Sequence, residues 1–441
     1  MADATTSGTM STGLLKVAER ARRDPQARIL ALARLLDEEL LTVAFSRIRR
    51  DAAVGVDGVT KEQYAEHLED NLRALHERMK AGRYRHQPIR RVHIPKAPGK
   101  KRPIGISTVE DKVVQNALHL VLEAIYEQDF LDCSYGFRPG RRAHDALRAV
   151  DAAAMRGWVN WVLEADIRSF FDSLCRTQLL EMLRQRVADE SFLRLVGKCL
   201  HVGVLDGAEY SEPHEGTAQG STLSPILGNI YLHHVLDLWF ERDVQPRLRG
   251  RAQLIRYADD FIILFERRDD ADRVFAVLPK RMARFNLTLH PDKTRLLPFG
   301  RPREGQSGGK GPATFDFLGF TLYWRRSRRG IWSLSFKTRR ARLQKAVQAI
   351  AEFCRRHRHD PVKEQHAALC RRLRGHFNYF GVNGNEVSLA AVVRATERSW
   401  HKWLTRRSQR TRLTWERFKG LLKALPLPRP RICVRIWALA P

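Results

Sequence analysis

The sequence predicts an α+β fold in which an antiparallel sheet flanked by helices is followed by an all-α basic domain. Strand-like apolar runs alternate with helical stretches through the middle third of the chain. Two of these runs, 161–167 and 254–264, carry aspartates. The last 121 residues hold 29 Lys and Arg against 6 Asp and Glu, which is +23 of the chain's net +29. A length of 441 residues allows two to three domains with sizeable cores.

The first third of the chain is predicted to form helices around one hairpin. Thr60, with Gln63 three residues later, is typical of a capping box that starts a helix running to about Met79. Residues 90–106 read as a hairpin with a basic Gly-Lys-Lys turn, because two apolar runs flank turn residues. A helix is expected over 111–128.

The rest of the chain alternates strands and helices before it turns helical and basic. The predicted elements are a strand at 161–167, a helix near 177–187, a helix from about 223 to 240, a hairpin at 254–264, a helix near 271–285, strands at 287–297 and 315–323, and helices after Lys337. A β-α-β-β order of the ferredoxin-like kind places the first of these strands beside the hairpin.

The charge of the chain points to a polyanionic partner. A domain with charge of almost one sign favours nucleic acid over a membrane surface, because no apolar run approaches the ~20 residues of a spanning helix. The N-terminus carries no apolar secretion signal, and the six cysteines form no C-x-x-C pair. These features predict a cytoplasmic protein without membrane contact and exclude a four-cysteine zinc module.

Three aspartates are candidate metal ligands. Asp259 and Asp260 lie between two apolar runs, at the expected tip of a hairpin, and Asp166 lies near the end of an upstream strand. Adjacent carboxylates cost energy unless a cation neutralises them, and Mg²⁺ prefers oxygen ligands and bridges to phosphates. Two Mg²⁺ ions held here would activate a 3′-hydroxyl and stabilise a departing pyrophosphate. The alternative is an Asp-Asp turn beside an unrelated aspartate.

Four further features suit a nucleotide site. Lys96 and Arg102 flank the basic turn of the first hairpin, where they would converge on a triphosphate. Phe171 follows the first aspartate by five residues and would fill the space of a ribose 2′-hydroxyl. Gln219 lies between glycines that permit close backbone approach, and Lys293 precedes an apolar run. The alternatives are an exposed basic turn, a core phenylalanine and a solvated lysine.

The basic last third interleaves Arg and Lys with aromatic residues, as in Arg374–Gly381 and around Trp400 and Trp403. Arginines and aromatic faces bind folded RNA through phosphate contacts and base stacking. The two tryptophans, at i and i+3, are expected to pack inward. The candidate RNA contacts are Arg138, Arg371, Arg372, Arg374, Arg406, Arg407 and Arg410.

These residues resemble the bacterial group II intron-encoded reverse transcriptases, also called intron maturases. The likeness runs from about Val54 to Arg431. It rests on ordered blocks at Val92–Gly105, Tyr135–Gly140, Asp166–Asp172, Tyr257–Asp260, Phe315–Phe320 and Arg374–Gly381.

The resemblance implies a right-hand polymerase with fingers, a palm with an antiparallel sheet, and a thumb or maturase domain. It implies that Asp166, Asp259 and Asp260 hold two Mg²⁺ ions, assisted by the Ile167 carbonyl. Lys96 and Arg102 would grip the triphosphate, Phe171 would exclude ribonucleotides, and Gln219 would line the pocket. The implied role of Lys293 is to orient the hairpin or the phosphates.

The implied activity is RNA-directed DNA synthesis by a bacterial protein that also binds its own group II intron RNA and assists splicing and mobility. The expected partners are that intron RNA, an RNA template with a DNA primer, dNTPs and target DNA. The alternatives are an RNA-binding splicing factor whose polymerase is silent, and a reverse transcriptase repurposed for phage defence or DNA repair.

The chain departs from the family pattern in two places. Ala218 stands where the family's loop usually has proline. No Cys- and His-bearing endonuclease domain is expected before Pro441, so the primer would come from another source. The expected segments are 1–85 (N-terminal extension and start of the fingers), 86–325 (fingers and palm), 326–400 (thumb or maturase domain) and 401–441 (basic nucleic-acid-binding segment).

Overall fold

A computed structural model describes residues 11–97, 100–206, 209–211, 216, 220–302, 313–327, 330–408 and 413–437, with the backbone alone for 95–97 and 100–102. The strands are β1 (Ile89–Ala97), β2 (Lys100–Ile106), β3 (Trp161–Asp166), β4 (Val204–Asp206), β5 (Glu209–Ser211), β6 (Ala252–Tyr257), β7 (Asp260–Phe265), β8 (Arg295–Pro298), β9 (Phe315–Phe317), β10 (Phe320–Arg326) and β11 (Trp332–Thr338).

The helices, in chain order, are α1 (Thr12–Arg23), α2 (Glu38–Ser46), α3 (Lys61–Ala65), α4 (Leu68–Lys80), α5 (Val109–Tyr126), α6 (Ala143–Met155), α7 (Phe170–Ser173), α8 (Arg176–Arg184), α9 (Glu190–Leu200), α10 (Ser224–Leu232), α11 (Arg268–Ala283), α12 (Arg340–Arg356), α13 (Val362–Phe380), α14 (Glu386–Thr405) and α15 (Trp415–Ala424). None of the helices in the described ranges has both the length and the apolar composition needed to cross a membrane. The mixture of helices and antiparallel sheets confirms the predicted α+β class.

The chain divides into two compact units, each assembled from separated stretches. The first consists of residues 1–140, 166–247 and 274–291. It contains a sheet in the order β2-β1-β4-β5, in which β1 and β2 form the antiparallel hairpin predicted at 90–106. Helix α5 is buried on nearly all sides and packs against α1 and α2.

The second unit consists of residues 141–165, 248–273 and 292–441. It contains the sheet β6-β7-β3-β8, the sheet β11-β10-β9 and helices α12 to α15. Trp400 of α14 is fully buried in the helical core, and its Nε1 donates a hydrogen bond of 3.0 Å to Oε1 of Gln365. The predicted inward packing of Trp400 is therefore confirmed.

The first predicted helix is interrupted. The capping box forms as expected, with Thr60 Oγ1 accepting from the Gln63 amide at 3.2 Å and Gln63 Oε1 accepting from the Thr60 amide at 2.9 Å. The helix nevertheless ends at Ala65, and α4 begins at Leu68. The side chain of Asn71 donates to the Tyr64 carbonyl at 3.0 Å, and that carbonyl would otherwise bond to the amide four residues later.

Several strands differ from the prediction. The expected continuous strand at 287–297 is wrong, because Pro291–Lys293 form a 3₁₀ turn and the regular strand β8 covers Arg295–Pro298. Pro291 lacks the amide hydrogen that a strand would use for pairing. Strands β4 and β5 were not expected. Nor was β11, which pairs with β10 and delays the all-α segment until Arg340. The helix predicted to about 240 is α10, continued by π-helical turns at His233–Asp237 and Phe240–Val244.

Candidate functional site

The hairpin of β6 and β7 presents its two aspartates at a strained turn. Tyr257 pairs with Asp260, so Ala258 and Asp259 form a two-residue loop. Ala258 has φ of 56°, a left-handed conformation that costs a residue with a Cβ atom about 1–3 kcal/mol. Such strain persists only where the surrounding structure fixes it, and it concentrates at functional sites. The predicted hairpin with acids at its tip is confirmed.

A buried arginine supports this turn from below. Arg256 of β6 has no exposed surface, and its Nη1 donates a hydrogen bond of 3.1 Å to the carbonyl of Ala258. A buried guanidinium needs hydrogen-bond acceptors to offset its loss of hydration. This contact therefore stabilises the buried charge and also holds the turn in place. The sequence analysis missed Arg256. The available signal was a charged residue between Ile255 and Tyr257 in an otherwise apolar strand.

The third candidate acid lies at the end of the strand adjacent to this hairpin. The sheet order places β3 beside β7, and the amide of Asn160, just before β3, donates to the carbonyl of Phe265 at the end of β7 at 2.9 Å. Since the start of β3 meets the end of β7, the two strands are antiparallel. The end of β3, at Asp166, and the start of β7, at Asp260, therefore belong to the same edge of the sheet.

The backbone around Ile167 pairs with residues 288–290. The Asp166 carbonyl accepts from the His290 amide, and the Arg168 amide donates to the Thr288 carbonyl, both at 2.8 Å. Ile167 is bridged to Leu289 in antiparallel fashion. Because successive carbonyls of an extended chain point to opposite sides, the Ile167 carbonyl points away from residues 288–290. That orientation suits the predicted use of this oxygen as a metal ligand.

Among the residues that the structure describes, no three Asp, Glu, His or Cys side chains lie close enough together to hold a metal ion. The carboxylates of Asp166, Asp259 and Asp260 carry the same charge, so a cation must neutralise them before they can approach each other. The donor atoms are carboxylate and carbonyl oxygens, the ligands that Mg²⁺ prefers. The chemistry of the donor set therefore fits a hard divalent ion, and the metal site stays a prediction.

Tyr379 of α13 lies close enough to the hairpin to sense its charge. The pKa of Tyr379 is raised to about 12, chiefly by burial, with smaller upward contributions from Tyr257 and Asp260 and an opposing one from Arg342. Its hydroxyl donates to the Leu318 carbonyl at 2.9 Å, and its ring stacks on Phe320 at 5.9 Å between centroids. The sequence predicted that Tyr379 belongs to an RNA-binding stretch. In the structure it is an uncharged, partly buried side chain near the candidate acids.

In the first unit, two glycines fix the ends of the loop that contains Gln219. Gly216 has φ of 80°, and a Cβ there would lie 2.7 Å from the carbonyl oxygens of Phe171 and Asp172. Gly220 has φ of 114°, and a Cβ there would lie 2.4 Å from the carbonyl oxygen of Gly105 on β2. Any side chain at either position would clash, so glycine is required. The loop ends are thus held against the Phe171 turn and against β2, while Gln219 lies outside the described residues.

Phe171 borders the same loop. Its ring is partly buried and lies 5.1 Å from the ring of Phe170, which is fully packed in the core. Gly228 of α10 faces both rings, because a Cβ there would lie 3.0 Å and 3.1 Å from their Cε1 atoms. The lack of a side chain at position 228 therefore makes room for the two rings. Phe170 is therefore the core residue of the pair. The role of Phe171 as a barrier to a ribose 2′-hydroxyl stays a prediction.

The side chain of Gln115, which is fully buried, holds the chain just after Gly220. Gln115 Oε1 accepts from the amide and the hydroxyl of Thr222, at 3.2 Å and 3.4 Å. Its Nε2 contacts Ser107 Oγ at 3.1 Å and His86 Nε2 at 2.8 Å. Gln115 thus ties Thr222, two residues after Gly220, to the interior of the unit. Sequence analysis missed it, since a single Gln in an apolar helix carries little signal.

We expect Gln115→Leu to lower kcat/KM for nucleotide addition by about tenfold, because a loop displaced by a fraction of an ångström misplaces the reacting groups. The unpaired Thr222 and His86 groups should also cost about 1–3 kcal/mol of stability. Steady-state kinetics and thermal unfolding measure the two effects. Gln185→Leu, at an exposed position, is the matched control. An unchanged kcat/KM in a folded Gln115→Leu protein would contradict a positioning role.

The remaining nucleotide-site residues are only partly described. Lys96 lies at a register shift between Pro95 and Ala97 of β1, and Arg102 of β2 pairs with Ile94. Their side chains lie outside the described atoms, so the predicted convergence on a triphosphate stays a prediction. Lys293 ends an exposed 3₁₀ turn that begins one residue after His290.

The candidate RNA contacts divide into two groups. Arg371, Arg372 and Arg374 are exposed on α13, and Arg372 lies 3.8 Å from the centroid of the Phe353 ring. Arg406 is exposed and lies over the Trp403 ring.

Arg407 is partly buried and donates to the Asp360 carbonyl, and Arg410 lies outside the described residues. Arg138 requires correction. Its side chain is 4% exposed, forms an ion pair of 3.0 Å with Glu127 and donates to the carbonyls of Leu131 and Ser134. Because it is enclosed and saturated with acceptors, Arg138 has a structural role and is withdrawn as an RNA contact.

Comparisons with known proteins show the family to which these sequence motifs belong. Residues 94–322 match the family described as Reverse transcriptase (RNA-dependent DNA polymerase). Protein YkfC of Escherichia coli is 32% identical over 353 residues, which cover 71% of this chain and 88% of that protein. Group II intron-encoded protein LtrA of Lactococcus lactis is 34% identical over 221 residues, 48% of this chain and 37% of LtrA.

An uncharacterized 91 kDa protein in the cob intron of Schizosaccharomyces pombe is 34% identical over 243 residues, which cover 54% of this chain. The chain spans only 30% of that protein's length, and 37% of LtrA's.

Proposed function

Because the chain belongs to the reverse transcriptase (RNA-dependent DNA polymerase) family, and is of the type that group II introns encode, we propose that it synthesises DNA on an RNA template. The observation that carries the proposal is the sheet β6-β7-β3-β8, in which β3 ends at Asp166 and the neighbouring β7 begins at Asp260. A hairpin that strains Ala258 to present two carboxylates has little structural justification on its own.

Reverse transcriptases use divalent metal ions, and we propose that this chain uses two Mg²⁺ ions. Asp166, Asp259, Asp260 and the Ile167 carbonyl would hold them. When bound, the ions would lower the pKa of the primer 3′-hydroxyl and stabilise charge on the pyrophosphate. The protein's part is to hold the acids in place. Arg256 fixes the hairpin turn, and the bridge between Ile167 and Leu289 fixes the end of β3.

The nucleotide pocket is proposed to lie in the first unit. Its walls would be the β1–β2 hairpin, the loop from Gly216 to Gly220, and Phe171. In this arrangement Lys96 and Arg102 bind the triphosphate, and Gln219 contacts the incoming nucleotide. The close packing of Gly220 on β2 and of Gly216 on the Phe171 turn supports the proposal, because it draws the three walls together. Lys293 belongs to the second unit, and its role in orienting the hairpin or the phosphates is a separate proposal.

We also propose that the basic C-terminal helices bind a group II intron RNA and assist its splicing and mobility on target DNA. The exposed arginines of α13 and Arg406 carry the positive charge that phosphates require. The RNA would be the splicing catalyst and the protein its structural partner. The expected segments 86–325, 326–400 and 401–441 would divide these tasks among fingers and palm, thumb or maturase domain, and basic tail.

Primer extension on an RNA template tests the central proposal. With Mg²⁺ present, we expect extension with dNTPs and little or none with rNTPs, because the pocket is closed to a 2′-hydroxyl. A folded protein that binds RNA but extends no primer would favour the splicing-factor alternative. Genomic context separates the repurposed alternatives, since an intron-encoded protein should be flanked by ribozyme sequence.

A further inference from the structure

A groove on the first unit shares only His86, which contacts Gln115, with the sites described above. It has a volume of about 530 Å³ and runs along one face of α9, with α8 and the segment before β1 as its other walls. The residues of α9 that line it recur at helical spacing: Glu190, Leu193, Arg194, Gly197, Lys198 and His201. Positions three or four apart share one side of a helix, so the groove is a continuous feature of the fold. Its volume is in the range that holds a nucleotide-sized ligand.

The groove has an apolar floor and a basic rim. Leu180 and Gly197 supply apolar surface, while Arg85, Arg184, Arg194 and Lys198 supply cations against a single acid, Glu190. A rim of one charge above an apolar floor is complementary to a strand whose phosphates lie outside and whose bases lie inside.

Two of these cations are available to a ligand and two are engaged. Arg184 forms an ion pair with Glu190 at 3.3 Å, and Lys198 donates to the carbonyls of Gly82 and Tyr84. The side chain of Arg85 is exposed and forms no hydrogen bond or ion pair with any described residue. Arg194 is exposed, and its one side-chain hydrogen bond within the described part of the chain is to Ser191 Oγ at 2.9 Å. These two arginines lie on different walls of the groove, so a phosphodiester strand would pass between them.

We propose that this groove binds a single RNA strand, with phosphates at Arg85 and Arg194 and an unpaired base against Leu180 and Gly197. The choice of RNA as the ligand rests on the proposed function, since a protein that copies RNA binds RNA strands. The existence and the charge of the groove do not depend on that function. The site is distinct from the hairpin aspartates, from the nucleotide loop and from the basic C-terminal helices. It therefore predicts an RNA contact that survives inactivation of the polymerase.

The test combines loss of charge with steric filling. Gly197 is helical, and a Cβ there would meet nothing within 4 Å, so Gly197→Leu fills the groove without changing charge and improves helix propensity. Arg85→Ala with Arg194→Ala removes the two available cations. A single-stranded RNA carrying 4-thiouridine, crosslinked to the full-length protein, should label the peptide containing α9. Both variants should lose that crosslink.

The salt dependence of RNA affinity gives a second readout. The double alanine variant should reduce the slope of log K against log salt by about 1.4, since each phosphate contact on a single strand contributes about 0.7. Arg50→Ala with Arg73→Ala is the matched control, because it removes two exposed arginines outside the groove. The control should keep the crosslink.

Two results would overturn the proposal. One is a crosslink unaffected by Gly197→Leu, which would mean general attraction to a basic surface. The other is saturable binding of inorganic tripolyphosphate at Arg85 and Arg194 without any RNA crosslink to α9, which would assign the groove to a small anion. Primer extension by the same preparations reports the polymerase separately, so failure here is distinguishable from failure of the proposed function.

Discussion

Replacing Asp259 with Asn should reduce primer extension by about a thousandfold or more while RNA affinity stays within about twofold of the parent protein. The amide keeps the size of the carboxylate but removes the negative charge that a divalent cation requires. The hairpin itself should survive, because its turn is set by the Tyr257–Asp260 pair and by Arg256, which donates to the Ala258 carbonyl. Rates are measured on a primed RNA template and affinity by a direct binding assay.

Asp272→Asn is a suitable control for this substitution. Asp272 is an exposed acid on α11 with a single surface ion pair to Arg268, and such pairs contribute little to stability. The control should retain full activity. If Asp259→Asn lost RNA binding and structure together with extension, the acid would be structural, and the metal assignment of Asp166 and Asp260 would fall with it.

Local chemistry explains why the hairpin and the capping box were predictable. Two apolar runs around a pair of aspartates leave few alternatives to a turn, and the reciprocal contacts of Thr60 and Gln63 involve neighbours in the chain. The placement of β3 beside β7 followed from the order of strands and helices. In each case the determining interaction lies within one element or one supersecondary unit.

The residues whose roles were predicted wrongly or missed have their roles set by contacts outside their own element. The guanidinium of Arg138, assigned to RNA from its surroundings in sequence, is enclosed by Glu127 and two carbonyls. Gln115 acts through Thr222, more than a hundred residues away. Arg85 and Arg194 share a groove although they belong to unrelated segments. Composition and periodicity carry no information about which distant side chains meet.

The predictions of an unbroken helix to about Met79 and of a strand at 287–297 failed for more local reasons. The side chain of Asn71 occupies the Tyr64 carbonyl, which a helical pattern of apolar residues does not reveal. Pro291 was visible in the sequence and should have limited the strand, since proline has no amide hydrogen to pair. The apolar residues on both sides of Pro291 favour a strand, but the proline interrupts it.

The two adjacent phenylalanines allow a sharp test of nucleotide selection. Phe170 is buried and fills the core, whereas Phe171 is only partly buried and borders Gly216, where the nucleotide loop begins. If the ring of Phe171 occupies the space of a 2′-hydroxyl, its removal should affect the choice of sugar and not the chemistry of extension. Phe170→Leu, which nearly conserves volume, should cost less than about 1.5 kcal/mol and leave selectivity unchanged.

Phe171→Ala should therefore raise kcat/KM for rNTPs relative to dNTPs by about a hundredfold, the scale on which an apolar pocket discriminates a hydroxyl. Extension with dNTPs should persist, because the acids at the sheet edge are untouched. The ratio is measured by single-nucleotide incorporation with matched dNTP and rNTP pairs, using Phe170→Leu as the control. An unchanged ratio in an active Phe171→Ala protein would reduce Phe171 to a packing residue beside Gly228. A changed ratio with intact dNTP extension would locate the nucleotide sugar against the turn that Gly216 and Gly228 shape, which no stability measurement can establish.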